Sequence, residues 1–225
     1  MYHGFIYPAV FKGLHVTAVF TTKSFYLDES ILTAQLQGDA LYLPVQKHTD
    51  KVVVIERDME QKIADAVVTA SKGLIIGIKT ADCVPLLLYD RRRHVAGAVH
   101  AGWRGTAEGI LKETVEVFKG RFNSLPEDIV VAIGPGIRGG CYEVGPEVAD
   151  AVAGATGRSG YITMRGERHF VDLPSANRIQ ALSVGIQPDN LWMSEDCTHC
   201  LPERYYSYRY SKGTTGRQYG FIVLQ

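Results

Sequence analysis

Apolar residues fall in short runs enriched in β-branched side chains: LHVTAVF (14–20), KVVVIE (51–56), LIIGIK (74–79), VPLLLYD (84–90), HVAGAVH (94–100) and IVVAIG (129–134). LWMS (191–194), YYSYRY (205–210) and YGFIVL (219–224) follow nearer the C-terminus. Several are apolar on consecutive residues rather than alternate ones, which predicts central strands covered on both faces. Residues 105–122 break the pattern: Ile110, Thr114, Val117 and Phe118 recur at helical spacing. Two further helices are predicted from Pro146 (PEVADAVA) and Pro174 (PSANRIQALSVG), each with proline in its first turn, and Gly185 is placed to cap the second. Short hairpin-like gaps such as Asp90 to His94 alternate with helical crossovers, so the sheets are expected to be mixed rather than purely parallel. No linker, repeat or low-complexity segment interrupts the chain. The expectation is a single α/β domain over residues 1–225.

The 225 residues are 46% hydrophobic and 21% charged, ordinary globular composition. Lys plus Arg and Asp plus Glu both number 24, which removes the electrostatic case for nucleic acid or an anionic membrane as partner. The cluster Arg91–Arg93 lies between two apolar runs and reads as a solvated hairpin turn. No apolar run approaches the roughly 18 residues of a membrane span, and MYHGFIYPAVFKGL lacks a charged leader region and cleavage site. A cytoplasmic protein is expected, with its oligomeric state left open. Four cysteines (Cys83, Cys141, Cys197, Cys200) are too few and too scattered for a disulfide framework, so reduced thiols are expected.

Four constellations offer chemistry. GPGIRG (134–139) matches the spacing of a dinucleotide-binding loop, but GCYEVGPEV follows and no helix can open before about Gly145. The position twenty beyond Gly139 is Ser159 rather than an acid, and Pro135 lacks a backbone donor, so a nucleotide-binding Rossmann site is rejected. CTHC (197–200) supplies at most three metal ligands with no second pair nearby; a metal or redox role stays open, but two packed free cysteines in a loop are the simpler reading. Cys83, heading an apolar strand, is by itself more often a small buried hydrophobe than a ligand. His48 and His100, one before a strand and one at a strand's end, are by themselves ordinary polar groups. His48, Cys83 and His100 nevertheless all lie at strand termini, where side chains from different strands can converge on one sheet edge. Two imidazoles and a thiolate are a suitable tetrahedral zinc set with the fourth position open. Their spacings of 35 and 17 residues carry no metal signature.

QKHTDKV, ADAVVT, KTADCVPLLLYD, VHAGWRGT, IGPGIRGGCYEVG and SYRY…TGRQYGFI, in that order, resemble the YfiH family, also called laccase-domain proteins, purine nucleoside phosphorylases or peptidoglycan editing factors. The likeness runs from about Gln46 to the C-terminus. It implies an α/β/β/α sandwich of mixed sheets, with zinc (copper as a substitute) held by His48, Cys83 and His100. Upstream, FTTKSFYLDESILTAQLQGDALYLP lacks the Gly-Gly-x-Ser, Ser-Leu-Asn and Asn-Arg elements usual in the family. A multicopper oxidase needs roughly ten histidines, many in His-x-His pairs. This chain has seven and no such pair, so laccase chemistry is not expected.

The resemblance implies phosphorolysis of adenosine, inosine and methylthioadenosine, together with adenosine deamination. The partners are then a purine nucleoside and phosphate. Cys83, His100 and Arg104 are the expected catalytic residues, and Gly102, Trp103, Arg104, Asp65 and Cys141 the expected substrate contacts. Gly102 and Gly105 flank Arg104 at the entry of the 105–122 helix, where amide N–H groups and the helix end suit an oxyanion and Arg104 can clamp phosphate bidentately. Trp103 offers a face to a purine or ribose, or packs beneath the loop. Asp82, Asp65 and Glu143 are candidate acids for the leaving purine. Two other classes stay open: a metal- or cysteine-dependent amide hydrolase acting on peptidoglycan precursors, and a non-catalytic module stabilised by its metal.

Overall fold

A computed structural model describes residues 4–56, 58–213 and 216–225. The chain runs through strands β1 (Phe5–Ile6) and β2 (Val16–Thr21), helix α1 (Glu29–Leu36), and strands β3 (Ala40–Tyr42), β4 (Val52–Val54) and β5 (Ala66–Thr69). Three long strands follow, β6 (Leu74–Thr80), β7 (Val84–Asp90) and β8 (Val95–Ala101), then helices α2 (Trp103–Glu108) and α3 (Ile110–Phe122). Next come β9 (Ile129–Ile133), β10 (Glu143–Val144), α4 (Pro146–Thr156), β11 (Ile162–Arg165), β12 (Arg168–Val171) and α5 (Leu173–Ser183). The last elements are β13 (Leu191–Met193), α6 (Tyr208–Ser211) and β14 (Gln218–Leu224).

Two large sheets carry the fold, one ordered β1-β2-β14-β6-β3 and the other β13-β9-β7-β8-β5-β4. Both are mixed, as expected. In the first, β3 runs parallel to β6 while β14 runs antiparallel to β6 and β2. In the second, β4 and β5 pair in parallel, as do β13 and β9, and the central ladders through β7 and β8 are antiparallel.

The sheets stack face to face. Phe20, Ile76, Ile78 and Ile222 of the first meet Val67, Leu87, Ala98 and Val130 of the second. On the far face of the second sheet, Leu86, Leu88 and Val131 pack against Ile110, Val115 and Phe118 of α3 and against α4 and α5. On the far face of the first, Val19, Ile75 and Phe221 cover Leu32 and Leu36 of α1. The result is the α/β/β/α sandwich. Consecutive apolar residues in β7 follow directly, because Leu86 and Leu88 face helices while Leu87 faces the other sheet. Gly97 of β8 admits the Phe118 ring, which would stand 3.1 Å from a Cβ there.

Two local expectations are corrected. The helix expected over 105–122 is split at Gly109, whose φ of 78° is left-handed and ends α2 before α3 begins. YYSYRY does not form a strand: the Ser207 Oγ accepts from the Tyr210 amide at 3.1 Å and caps α6. Asp90 closes the expected turn at Arg91–Arg93 by accepting from the amides of Arg92 and Arg93. Helix α5 starts at Leu173 because Asp172 caps it, and Gly185 follows its end with φ 95°. Elements the periodicity did not reveal are α1, β3, β5 and a small sheet ordered β10-β12-β11. Among the described residues, no helix is long and apolar enough to cross a membrane.

Candidate active site

The register of the β7–β8 hairpin, with Val84 opposite Ala101 and Pro85 opposite His100, brings Cys83 and Gly102 side by side at one sheet edge. His48 reaches the same edge from the turn before β4. A Cβ at Gly102 would stand 3.1 Å from the Cys83 sulfur and 3.2 Å from His48 Cδ2, so only glycine leaves both side chains where they are. The donor atoms of His48, Cys83 and His100 all lie within 4.8 Å of one another. The two imidazoles meet edge to face, with centroids 4.9 Å apart.

One carboxylate organises this set. Asp65, just before β5, is fully buried. Its Oδ2 accepts from the amides of Lys47 (3.1 Å) and Thr49 (2.7 Å) and from the Thr49 hydroxyl (2.9 Å). Its Oδ1 accepts from the His48 amide at 3.0 Å and from His100 Nδ1 at 2.8 Å. The turn bearing His48 and the ring of His100 thus hang on the same group. Burial opposes the Asp65 charge, but the His100 contact and the amides of Thr49 and Lys47 hold the carboxyl far below its ordinary range.

Electrostatics couple Cys83 to His100. Burial by itself raises the Cys83 thiol, yet the fields and hydrogen bonds of His100 and His48 bring it down to about 6. Burial likewise opposes charge on His100, while Cys83 and Asp65 raise it to about 9. A thiolate is the form in which Cys83 would ligate metal, whereas His100 must first give up its proton. His48 and Asp82 both adopt left-handed backbone, φ 60° and 85°, so the site's rim stores strain.

His48, Cys83 and His100 stand in a cleft of about 840 Å³. Its walls include Leu43–Gln46, Lys79, Trp103, Arg104, Tyr142, Tyr208, Arg209 and Arg217. Trp103 packs partly against the core and also lines the cleft. The Arg104 guanidinium lies over its ring, 4.4 Å from the centroid. Asp82 reaches the cleft with both oxygens engaged, by the Thr198 hydroxyl at 2.6 Å and the Arg209 amide at 2.7 Å. Burial pushes the Tyr142 phenol up to about 12, and Arg209 lies over that ring at 5.1 Å.

Other expected residues lie elsewhere. Asp65 does not line the cleft, because its oxygens are taken up behind His100 and His48. Cys141 does not line it either, and its sulfur sits 3.1 Å from that of Cys200. Glu143 turns toward Arg168, 3.5 Å away. Helix α2 has six residues, too few to build the dipole expected behind an oxyanion at its start. The GPGIRG loop opens no helix, consistent with its rejection as a nucleotide site. Lys79, Tyr142, Tyr208, Arg209 and Arg217 were not singled out from the sequence. The last three fall in SYRY…TGRQ, a stretch whose spacing shows no chemistry until the chain returns to the cleft.

A family model described as "Multi-copper polyphenol oxidoreductase laccase" matches residues 27–225. A relative from Deinococcus radiodurans, named purine nucleoside phosphorylase, is 44% identical over 160 residues. The match covers 71% of this chain but only 61% of that relative's length. A protein from an unknown prokaryotic organism, named adenosine deaminase RL5, is 35% identical over 86% of this chain and 79% of its own length. The crystal structure of YlmD from Geobacillus stearothermophilus superposes with a TM-score of 0.90 at 27% identity, covering 100% of this chain and 97% of that one.

Proposed function

The chain belongs to the YfiH family of laccase-domain proteins, and from that premise we propose that it is a zinc-dependent purine nucleoside phosphorylase that also deaminates adenosine. The observation that carries the reading is the His48–Cys83–His100 set at the edge of a cleft that also presents Lys79, Arg104, Arg209 and Arg217. Relatives named purine nucleoside phosphorylase and adenosine deaminase support it. In this reading residues 1–225 act as one catalytic domain.

The donor set fits zinc. Two imidazoles and one acidic thiol leave a tetrahedral ion one open position, and Asp65 supplies the outer carboxylate that metal-bound histidines commonly have. Copper would suit the same donors as a substitute. Four-copper oxidase chemistry would not, since the whole chain has seven histidines and, among the described residues, two of them stand here. When bound, zinc supplies a Lewis acid at the end of the cleft.

The chain's own residues do the rest. Arg104 pairs phosphate oxygens bidentately while its stacking on Trp103 fixes the plane of the guanidinium. Arg209 is aimed by the hydrogen bond its backbone amide donates to Asp82 Oδ2 and by the one its Nη1 donates to the Glu143 carbonyl at 2.8 Å. Trp103 and Tyr142 offer aromatic faces to the purine and ribose. Tyr142, kept protonated by burial, donates a hydrogen bond from its Oη to the leaving base. Asp82, with both oxygens engaged, acts as a positioning residue.

Incubating the zinc-loaded protein with adenosine, with and without phosphate, tests this. The expected result is free adenine only when phosphate is present and inosine in either case. Formation of neither product would overturn the reading.

A further inference from the structure

The loop after β9 carries Cys141, and the loop after β13 carries Cys197, His199 and Cys200. Backbone contacts clip the two loops together. The Thr198 amide donates to the Gly136 carbonyl at 3.1 Å, and the Arg138 amide points at the Cys197 sulfur at 3.4 Å. The clip leaves Cys141 and Cys200 with sulfurs 3.1 Å apart, and a His199 nitrogen joins them so that all three donor atoms lie within 4.8 Å. The His199 ring is steadied edge-on by Tyr210, centroids 5.7 Å apart. Cys200 is exposed and Cys141 half-buried, so the group opens to solvent on one side. No hydrogen-bonded role at the cleft absorbs these residues.

We propose that Cys141, His199 and Cys200 form a second soft-metal site, separate from the His48 set, that binds zinc through two thiolates and an imidazole. Two sulfurs and a nitrogen become three corners of a tetrahedron when the sulfurs, 3.1 Å apart, open to the roughly 3.8 Å that two Zn–S bonds of about 2.3 Å span, and the exposed side leaves the fourth corner to water. The ligands come from two loops more than fifty residues apart (141 and 199–200), so the ion would tie those loops together. The tie bears on the cleft at two points: Tyr142 follows Cys141 in the chain, and Thr198, between Cys197 and His199, donates to Asp82 at 2.6 Å. A bound ion is thus placed to brace the part of the cleft wall formed by Asp82 and Tyr142.

The full chain, kept reduced, loaded with zinc and freed of excess, provides the test. Elemental analysis should find about two zinc ions per chain in the parent and about one in Cys200→Ser and in Cys141→Ser. Because each of these variants retains His48, Cys83 and His100, loss of the second ion is distinguishable from failure of the first site. As a second readout, zinc should protect Cys141 and Cys200 from alkylation in the parent, and a chelator should restore their reactivity. His199→Ala should shorten that protection. About one zinc per chain in the parent, together with alkylation of Cys141 and Cys200 at the same rate with or without zinc, would overturn the site. So would recovery of a Cys141–Cys200 disulfide that, once reduced, takes up no second ion.

Discussion

His100 donates its Nδ1 proton to Asp65 Oδ1 at 2.8 Å, with His100 4% exposed and Asp65 fully buried. An ionised carboxylate can only accept, so this bond keeps a proton on Nδ1 and, once the ring is neutral, leaves Nε2 free of its proton to meet Cys83. The same carboxylate receives three backbone amides from the turn of His48. Asp65 is therefore the hinge between fold and site.

Asp65→Asn keeps the shape but replaces one acceptor oxygen with a donor that faces other donors. Zinc affinity should fall roughly 10–100-fold, the usual cost of removing such an outer partner. Competition against a chromogenic chelator measures it directly, and an unchanged affinity would make Asp65 merely a core residue.

Gly102→Ala separates site from scaffold. Its φ of −73° suits alanine, so the backbone is not strained, yet the new methyl would press on the Cys83 sulfur at 3.1 Å and on His48 at 3.2 Å. The metal-free variant should melt close to the parent, while zinc affinity drops by roughly tenfold or more. Equal zinc affinity in the two proteins would show that the donors do not act from their positions here.

Proton release on zinc binding follows from the shifted groups. At about pH 7.5 the metal-free site pairs a Cys83 thiolate, lowered to about 6, with a His100 imidazolium, raised to about 9, so binding should release about one proton, from His100. Below 6 the thiol protonates as well, so release rises and apparent affinity falls; above 9 release fades. Calorimetry in buffers of different ionisation enthalpy reads the number. Release that stays constant from pH 5 to 10 would contradict the pairing.

Arg104→Lys distinguishes phosphorolysis from deamination. Lysine offers a point charge where the arginine fork pairs two oxygens, and it cannot stack as flatly on Trp103. Losing such a pair costs about 1.5–3 kcal/mol, roughly ten- to a hundred-fold in rate. Adenine release should therefore fall much more than inosine formation across a phosphate titration. An equal fall in both would make Arg104 a scaffold residue.

Acid stability should depend on Asp172, which accepts from Arg138 Nε at 2.9 Å and from the amides of Gly139 and Ser175. Burial opposes its charge, but these partners hold its pKa below the ordinary 3.8. The stabilisation is thus present above that value and is lost as pH falls through the depressed one. Asp172→Asn should be less stable than the parent at neutral pH, and the gap should narrow in acid. A gap that widens in acid would reverse the assignment.

The longest strands that were plain from hydrophobic pattern are those buried on both faces, whereas KVVVIE and LWMS gave the partly buried β4 and β13. β7 and β8 read as continuous apolar runs because they lie between a helical layer and the opposing sheet. Residues Ala66–Thr69 are just as buried, but four residues are too short a run to stand out. YYSYRY has a strand-like composition, and only Ser207, placed to cap a turn, decides for helix. In the same way nothing in the spacing around Gly109 announces its positive φ.

By itself the sequence determined the α/β class and the mixed sheets, while the layered sandwich and the candidate residues of the site came through resemblance. Its periodicity records which face of an element is buried, a local property repeated every two or 3.6 residues. Only the tertiary structure decided that Asp65 lies behind the histidines, that Cys141 pairs with Cys200, and that Arg209 and Arg217 return to the cleft of Arg104. The physical reason is that these relations depend on strand register and loop closure between distant segments. Convergence of that kind leaves no period in the chain.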